Sequence, residues 1–225
     1  TTDKVVTTTA NVCIYTHNNS SWNATAIDVC GSVSSLTYAL SGATTLANAP
    51  ANTSLNSQVF NKGITTVTWT AIDGSLNEAQ CSFTVTVKDE QKPNAICQNI
   101  TIQLNAFGNA SITVNDIDDG SNDNCGIQSI VASKTNFTCA DYGPNNVLLT
   151  VTDTSNNTET CTAIVTVQDL IDPVAVCSPL TIQLNASGNY TLNTADINTI
   201  SAGSTDNCSI VTSVVSPNTF DCENV

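Results

Sequence analysis

The side chains most able to do chemistry are ten cysteines, one histidine and a run of carboxylates. With no Cys-x-x-Cys pair and His17 as the single histidine, the cysteines do not compose a zinc site. They read instead as disulfides, which places the chain in an oxidising compartment. The carboxylate run is Asp116-x-Asp118-Asp119-Gly120, followed by Asp123. Alternate Asp side chains in a Gly-containing loop can present several oxygens to calcium. Asp116, Asp118 and Asp123 are therefore the candidate metal ligands, although no Glu closes the loop as in an EF-hand, and a solvated turn fits the same residues. A second set of carboxylates, Asp89 with Glu90 and Asp169 with Asp172, flanks Pro93 and Pro173. Catalysis finds no support: His17 lies in a polar Thr-His-Asn-Asn-Ser stretch that reads as loop, without a nucleophile partner, and no Gly- and Lys-containing phosphate loop occurs. The chain is expected not to be an enzyme.

What positions these residues is a repeat. Shifted by 80 residues, the segment from Pro93 matches the segment from Pro173, sharing the cysteine, the block Thr-Ile-Gln-Leu-Asn-Ala, a Gly-Asn and an Asp-Ile. After a three-residue insertion, Asp123-Asn124-Cys125 meets Asp206-Asn207-Cys208, and Phe137 with Cys139 meets Phe220 with Cys222. The 80-residue shift also relates Gly63, Val67, Asp73, Cys81 and Asp89 to Gly143, Val147, Asp153, Cys161 and Asp169. Three modules result: 1–92, with its first strand missing; 93–172, complete; and 173–225, lacking its last two strands. Ile100, Ile102 and Leu104 alternate with polar neighbours, as do Val147, Leu149 and Val151, and no segment shows a helical period. Gly108-Asn109 and Asp153–Asn157 supply turns. The fold expected is all-β, a tandem set of immunoglobulin-like β-sandwiches stapled by disulfides.

Nineteen acidic residues face five lysines and no arginine, for a net charge of −14. Such a surface does not bind nucleic acid, which needs Lys and Arg on phosphates, nor an anionic membrane. No apolar run is long enough to span a bilayer, so direct membrane insertion is not expected.

The pattern Gly63-Ile-Thr-Thr-Val-Thr-Trp69-Thr-Ala-Ile-Asp73, then Asn77, Cys81-Ser-Phe-Thr-Val-Thr-Val87-Lys-Asp89 and Pro93, resembles the hyalin-repeat (HYR) family of immunoglobulin-like domains. The mid-domain Asp-Asn-Cys is also typical of it, and becomes Asp28-Val29-Cys30 in the first module. The second and third modules depart from it, with Leu149 for Trp and an added Phe-x-Cys. Arrays of this kind resemble the repeat regions of very large surface proteins of the Bacteroidota. The resemblance implies an extracellular, cell-surface array with adhesive or structural duty. Its partners would be surface glycans or other extracellular ligands and neighbouring repeats of the same chain. A carbohydrate-binding or spacer module of a secreted enzyme is the alternative.

In a sandwich whose first strand runs parallel to its last, Cys97 and Cys161 open the two strands, which predicts a Cys97–Cys161 bond. Short separations predict Cys125–Cys139, its repeat Cys208–Cys222, and Cys13–Cys30, leaving Cys81 and Cys177 with mates outside the chain. Five-residue, Pro-bounded connectors (88–92 and 168–172) predict restricted motion between modules.

Overall fold

A computed structural model describes residues 2–224. The fold is all-β, as the alternation requires. In the first module the strands are β1 (Lys4–Thr7), β2 (Ile14–His17), β3 (Val33–Gly42), β4 (Gln58–Asn61), β5 (Gly63–Asp73) and β6 (Glu78–Lys88). A four-stranded sheet in the order β1-β6-β5-β3 accompanies a two-stranded ribbon, β2-β4. The edge strand β1 runs parallel to β6, with Lys4 opposite Val85 and Thr7 opposite Lys88, so the first module does have a first strand, which corrects the expectation from the absent Pro-x-x-x-Cys that it is missing. β5 and β6 form the long hairpin that the Trp69 pattern predicts, with Trp69 opposite Cys81 and Ile72 opposite Glu78.

Alternation decides which residues enter the core. Val67 and Trp69 on β5, and Phe83, Val85 and Val87 on β6, are buried, and Phe60 of β4 and Leu55 close the cluster from the ribbon side. Tyr38 packs its ring 5.1 Å from Trp69. Each large apolar side chain buried this way stabilises the fold by roughly 1.5–3 kcal/mol. The intervening threonines of β5, a β-branched type suited to pleated strands, keep the alternation in register.

The middle module repeats the plan with β7 (Ile100–Gln103), β8 (Asn109–Ser111), β9 (Ile127–Ala132), β10 (Asn136–Thr138), β11 (Gly143–Asp153) and β12 (Thr158–Gln168). Its sheet is β7-β12-β11-β9 and its ribbon β10-β8. β7 is parallel to β12, with Ile100 opposite Val165. Val147, Leu149, Val151, Ala163, Val165 and Val167 are fully buried. The third module contributes a ribbon of β13 (Asn189–Thr191) and β14 (Thr219–Asp221), with Tyr190 opposite Phe220.

Two short helices were not anticipated by the periodicity: α1 (Val114–Ile117) and α2 (Thr194–Ile200). They are made by capping rather than by an apolar stripe. The Asn193 side chain accepts from the amides of Ala195 and Asp196, and Asp196 returns a bond from the Asn193 amide, a closed capping box. Asp116 does the matching work for α1, accepting from the Thr113 amide at 2.6 Å and hydroxyl at 2.8 Å. The repeated Asp-Ile of the sequence is therefore a helix signal.

The chain packs as two compact units. Among the described residues, one comprises 2–97, Asp118–Val131 and Leu149–Cys161; the other comprises Gln98–Ile117, Ala132–Leu148 and 162–224. The middle module of the sequence contributes to both.

Candidate functional site

The cysteines bond Cys13–Cys125, Cys97–Cys161 and Cys139–Cys208. Cys97–Cys161 staples the start of the first strand to the last, within one module, as the parallel β7–β12 pairing requires. The local pairs Cys125–Cys139, Cys208–Cys222 and Cys13–Cys30 are not formed, and this corrects the expectation from short spacing. Between Cys125 and Cys139 run β9 and β10, which belong to different sheets, so nearness in sequence is not nearness in space. Cys30 lies exposed on the loop between β2 and β3, while Cys13 is taken by Cys125. Cys81, Cys177 and Cys222 are also free and exposed.

Both bonds that cross module boundaries are built alike, around an Asp-Asn-Cys tip. The aspartate shapes the tip: Asp123 Oδ2 accepts from the Cys125 amide at 2.6 Å, and Asp206 Oδ1 from the Cys208 amide at 2.8 Å. Such Asx turns fix the backbone before the cysteine. The asparagine then reads the preceding module. Asn124 Nδ2 donates to Asp89 Oδ1 at 3.4 Å and to the Val12 carbonyl at 3.3 Å. Asn207 Nδ2 donates to Asp169 Oδ1 at 3.0 Å and to the Asn105 carbonyl at 3.3 Å. Asp89 and Asp169 are equivalent, each just past the last strand of its module. Val12 and Asn105 both lie in the tight turn after the first strand, closed by Val12 N to Thr9 O and Gly108 N to Asn105 O.

The receiving cysteine reaches that turn by two routes. In the first module it is in the turn itself, as Cys13, just before β2. In the middle module it arrives from β10, on a 3-10 turn at Cys139–Asp141. Its sulfur settles 3.7 Å from the Gly108 carbonyl oxygen and 3.4 Å from that of Asn207. Gly108 is required for this: it has φ +70°, and a Cβ there would lie 2.6 Å from Cys139 Sγ and 2.6 Å from the Asn207 carbonyl. The Phe-x-Cys of the second and third modules is thus a device for bringing a sulfur to the turn glycine. Where the first module lacks it, Lys62 follows Phe60-Asn61, and Lys62 Nζ donates to the Thr154 and Ser155 hydroxyls at 2.6 and 2.9 Å.

Asp89 is buried and its carboxylate is fully engaged. Oδ1 also accepts from Thr8 Oγ1 and the Gln91 amide, and Oδ2 from Ser155 Oγ. Asn157 clamps the same stretch from the β11–β12 turn, donating to the carbonyls of Asp89 and Gln91 while held by Asp153. A polar group buried at a junction is stabilising only when partnered in this way.

The expected calcium ligands Asp116, Asp118 and Asp123 are not gathered into one site. Asp116 caps α1, and Asp118 Oδ1 accepts from the Ser121 amide at 3.2 Å. The sequence pattern of alternate carboxylates describes two separate local turns. Among the described residues, the group with metal-ligand spacing is Asp89, Asp123 and Cys125, within 4.8 Å of one another. Cys125 is a disulfide sulfur and no thiolate donor, so the two carboxylates fall short of the six to eight oxygens calcium takes.

His17 is not in a loop. It ends β2, is 1 % exposed, and stacks on Trp22 with centroids 3.7 Å apart at 11°. Trp22 in turn stacks with Tyr15 at 5.8 Å, so the histidine belongs to an aromatic wall of the core. Burial holds its pKa below the ordinary imidazole value. No helix among the described residues is long and apolar enough to cross a membrane.

Residues 37–87 match the HYR domain family. No curated protein matches the chain. Among solved structures, the chain is similar to the fibronectin(III)-like modules of Clostridium thermocellum CbhA (13 % identity, 64 % of this chain and 83 % of that one, TM-score 0.23). It is also similar to human CDH23 EC21-23 (13 %, 64 % and 62 %, 0.34) and human mucin-like protocadherin EC1-2 (13 %, 74 % and 96 %, 0.32). At such identities and TM-scores these likenesses carry no functional argument.

Proposed function

We propose that the chain is a stretch of adhesive and structural stalk modules from an extracellular, cell-surface array. The observation that carries this reading is the clasp itself. The same Asp-Asn-Cys tip grips an Asp and a turn carbonyl of the module before it and is then bonded to it, at Cys13–Cys125 and again at Cys139–Cys208. A bond between modules resists separation under load and persists in an oxidising environment. The repeats 1–92, 93–172 and 173–225 are then the units joined, and neighbouring repeats are the first partners of each. Surface glycans or other extracellular ligands are the second class of partner. The Asp-Asn-Cys and Phe-x-Cys variant resembles the gliding-motility adhesin SprB, which extends the proposal to gliding and to export by the type IX secretion system. The chain has no catalytic duty in this reading. Antibodies raised against the modules should label intact cells and impair attachment or gliding. Loss of a secreted hydrolytic activity on deleting the modules, with attachment unchanged, would favour a module of a secreted enzyme.

A further inference from the structure

We propose that Cys222 and the turn of Gly188 form the receiving half of a clasp, built to bond the cysteine of an Asp-Asn-Cys tip on another module of this kind. The deduction deepens the stalk reading and rests on its premise that modules are joined through these tips. In the middle module, β8 and β10 pair Asn109 with Thr138, and the next residue, Cys139, is bonded to Cys208. In the third module, β13 and β14 pair Asn189 with Asp221, and the next residue is Cys222. Both cysteines open a 3-10 turn, at Cys139–Asp141 and Cys222–Asn224. Cys139 Sγ lies 3.7 Å from the Gly108 carbonyl oxygen, and Cys222 Sγ lies 3.8 Å from that of Gly188. Both glycines are left-handed, at φ +70° and +75°, and a Cβ would meet the sulfur at 2.6 and 2.8 Å. The turn carbonyl that accepts from Asn207 is that of Asn105, and Asn185 is its counterpart, in a turn closed identically by Gly188 N to Asn185 O. Cys222 is thus a free, exposed thiol set in the geometry that its counterpart uses to hold a disulfide.

The Asx turn of the tip, with Val29 in the place of Asn, is also present unbonded in the first module. Asp28 Oδ1 accepts from the Cys30 amide at 3.2 Å, the Asx turn seen at Cys125 and Cys208, and Cys30 is free and exposed. A module therefore carries one sulfur for each neighbour, a tip to give and a turn to receive. Bond formation is thiol–disulfide exchange. The Cys222 thiolate attacks the incoming cysteine, held as a mixed disulfide with a small-molecule or protein disulfide oxidant. The new S–S bond forms as the old one breaks, and the oxidant's sulfur leaves as a thiolate with the electron pair.

The probe is the peptide Ser-Thr-Asp-Asn-Cys-Ser-Ile, the sequence of 204–210, activated as its mixed disulfide with thionitrobenzoate and added to the whole chain with its three disulfides intact. Thionitrobenzoate release gives the rate, and mass spectrometry gives the site. The expected result is coupling at Cys222 about tenfold faster than at Cys30, Cys81 or Cys177. Replacing the peptide's Asn by Ala should remove most of that preference, and Gly188→Val should slow coupling at Cys222 alone. Equal coupling at all four cysteines overturns the proposal, as does a preference for Cys222 that ignores the peptide's Asn. Because the readout is chemistry at one sulfur, its failure would leave the antibody test of attachment standing, and the converse also holds.

Discussion

The side-chain amide of Asn207 donates to the carboxylate of Asp169 at 3.0 Å, and one module earlier Asn124 makes the same bond to Asp89 at 3.4 Å. In each case the next residue is a cysteine bonded to the module that supplied the Asp. The hydrogen bond and the disulfide are two parts of one joint, the first holding the tip where the second can form. A hydrogen bond to a charged group contributes about 1.5–3 kcal/mol. Asn207→Ala should therefore make Cys139–Cys208 about tenfold easier to reduce. Titration with dithiothreitol, read by mass spectrometry of alkylated cysteines, checks this; an unchanged midpoint would mean that the amide does not support the bond.

The disulfide pattern can be read without a structure. Chymotryptic mapping of the unreduced chain should recover Cys13–Cys125, Cys97–Cys161 and Cys139–Cys208. Peptides joined by Cys13–Cys30 or Cys125–Cys139 would contradict the clasp. Replacing both Cys97 and Cys161 by Ser opens a crosslink of sequence separation 64. The chain-entropy model puts the loss at about 4 kcal/mol. Denaturant melts of the double variant would test the figure.

In the middle module Leu149 occupies the position that Trp69 holds in the first, and both are fully buried. Leu149→Ala should cost about 3 kcal/mol, from lost transfer energy and the cavity left behind. Urea unfolding of variant and parent gives the difference. A cost under about 1 kcal/mol would mean that the site collapses around the gap.

His17 gives the first module a dependence on pH. Its folded pKa is lowered by burial from the ordinary value of 6.5. The unfolded chain therefore takes up a proton that the folded chain refuses, so stability is complete above about pH 6.5 and falls as the pH drops below it. Stability measured by urea at pH 7.5 and 5 should differ for the parent, and the difference should shrink in His17→Leu. A parent insensitive to this change would place the imidazole in contact with water.

Acid should act a second time, through the turn carboxylates. Asp73, Asp116 and Asp141 all have pKa values lowered from 3.8, chiefly by hydrogen bonds from Asn77, Thr113 and Lys134 respectively. Their contributions are present above about pH 4 and are lost as the pH falls through the lowered values. Asp116→Asn should leave the parent's response to a calcium chelator unaltered, because Asp116 serves the cap of α1. A chelator effect that this substitution abolishes would return Asp116 to a metal site.

The sequence alone determined what is local and what is periodic. Alternation placed Val67, Trp69, Val147 and Val165 in the core because a strand has only two faces. The 80-residue repeat is written in the sequence, and the parallel first and last strands brought Cys97 to Cys161. The short α-helices leave no periodic mark in the sequence, since capping, as by Asn193 and Asp196 at α2, makes them without an apolar stripe. Only the tertiary structure decided which cysteines cross between modules. Cys13 and Cys125 are 112 residues apart, and no local rule brings a turn after the first strand of one sandwich against the mid-domain tip of the next. That proximity comes from docking, in which Asp89 and Asp169 are seized by Asn124 and Asn207, and docking is a property of surfaces rather than of spacing. The same reason kept His17 hidden: a polar stretch reads as solvent-exposed until Trp22 folds over it.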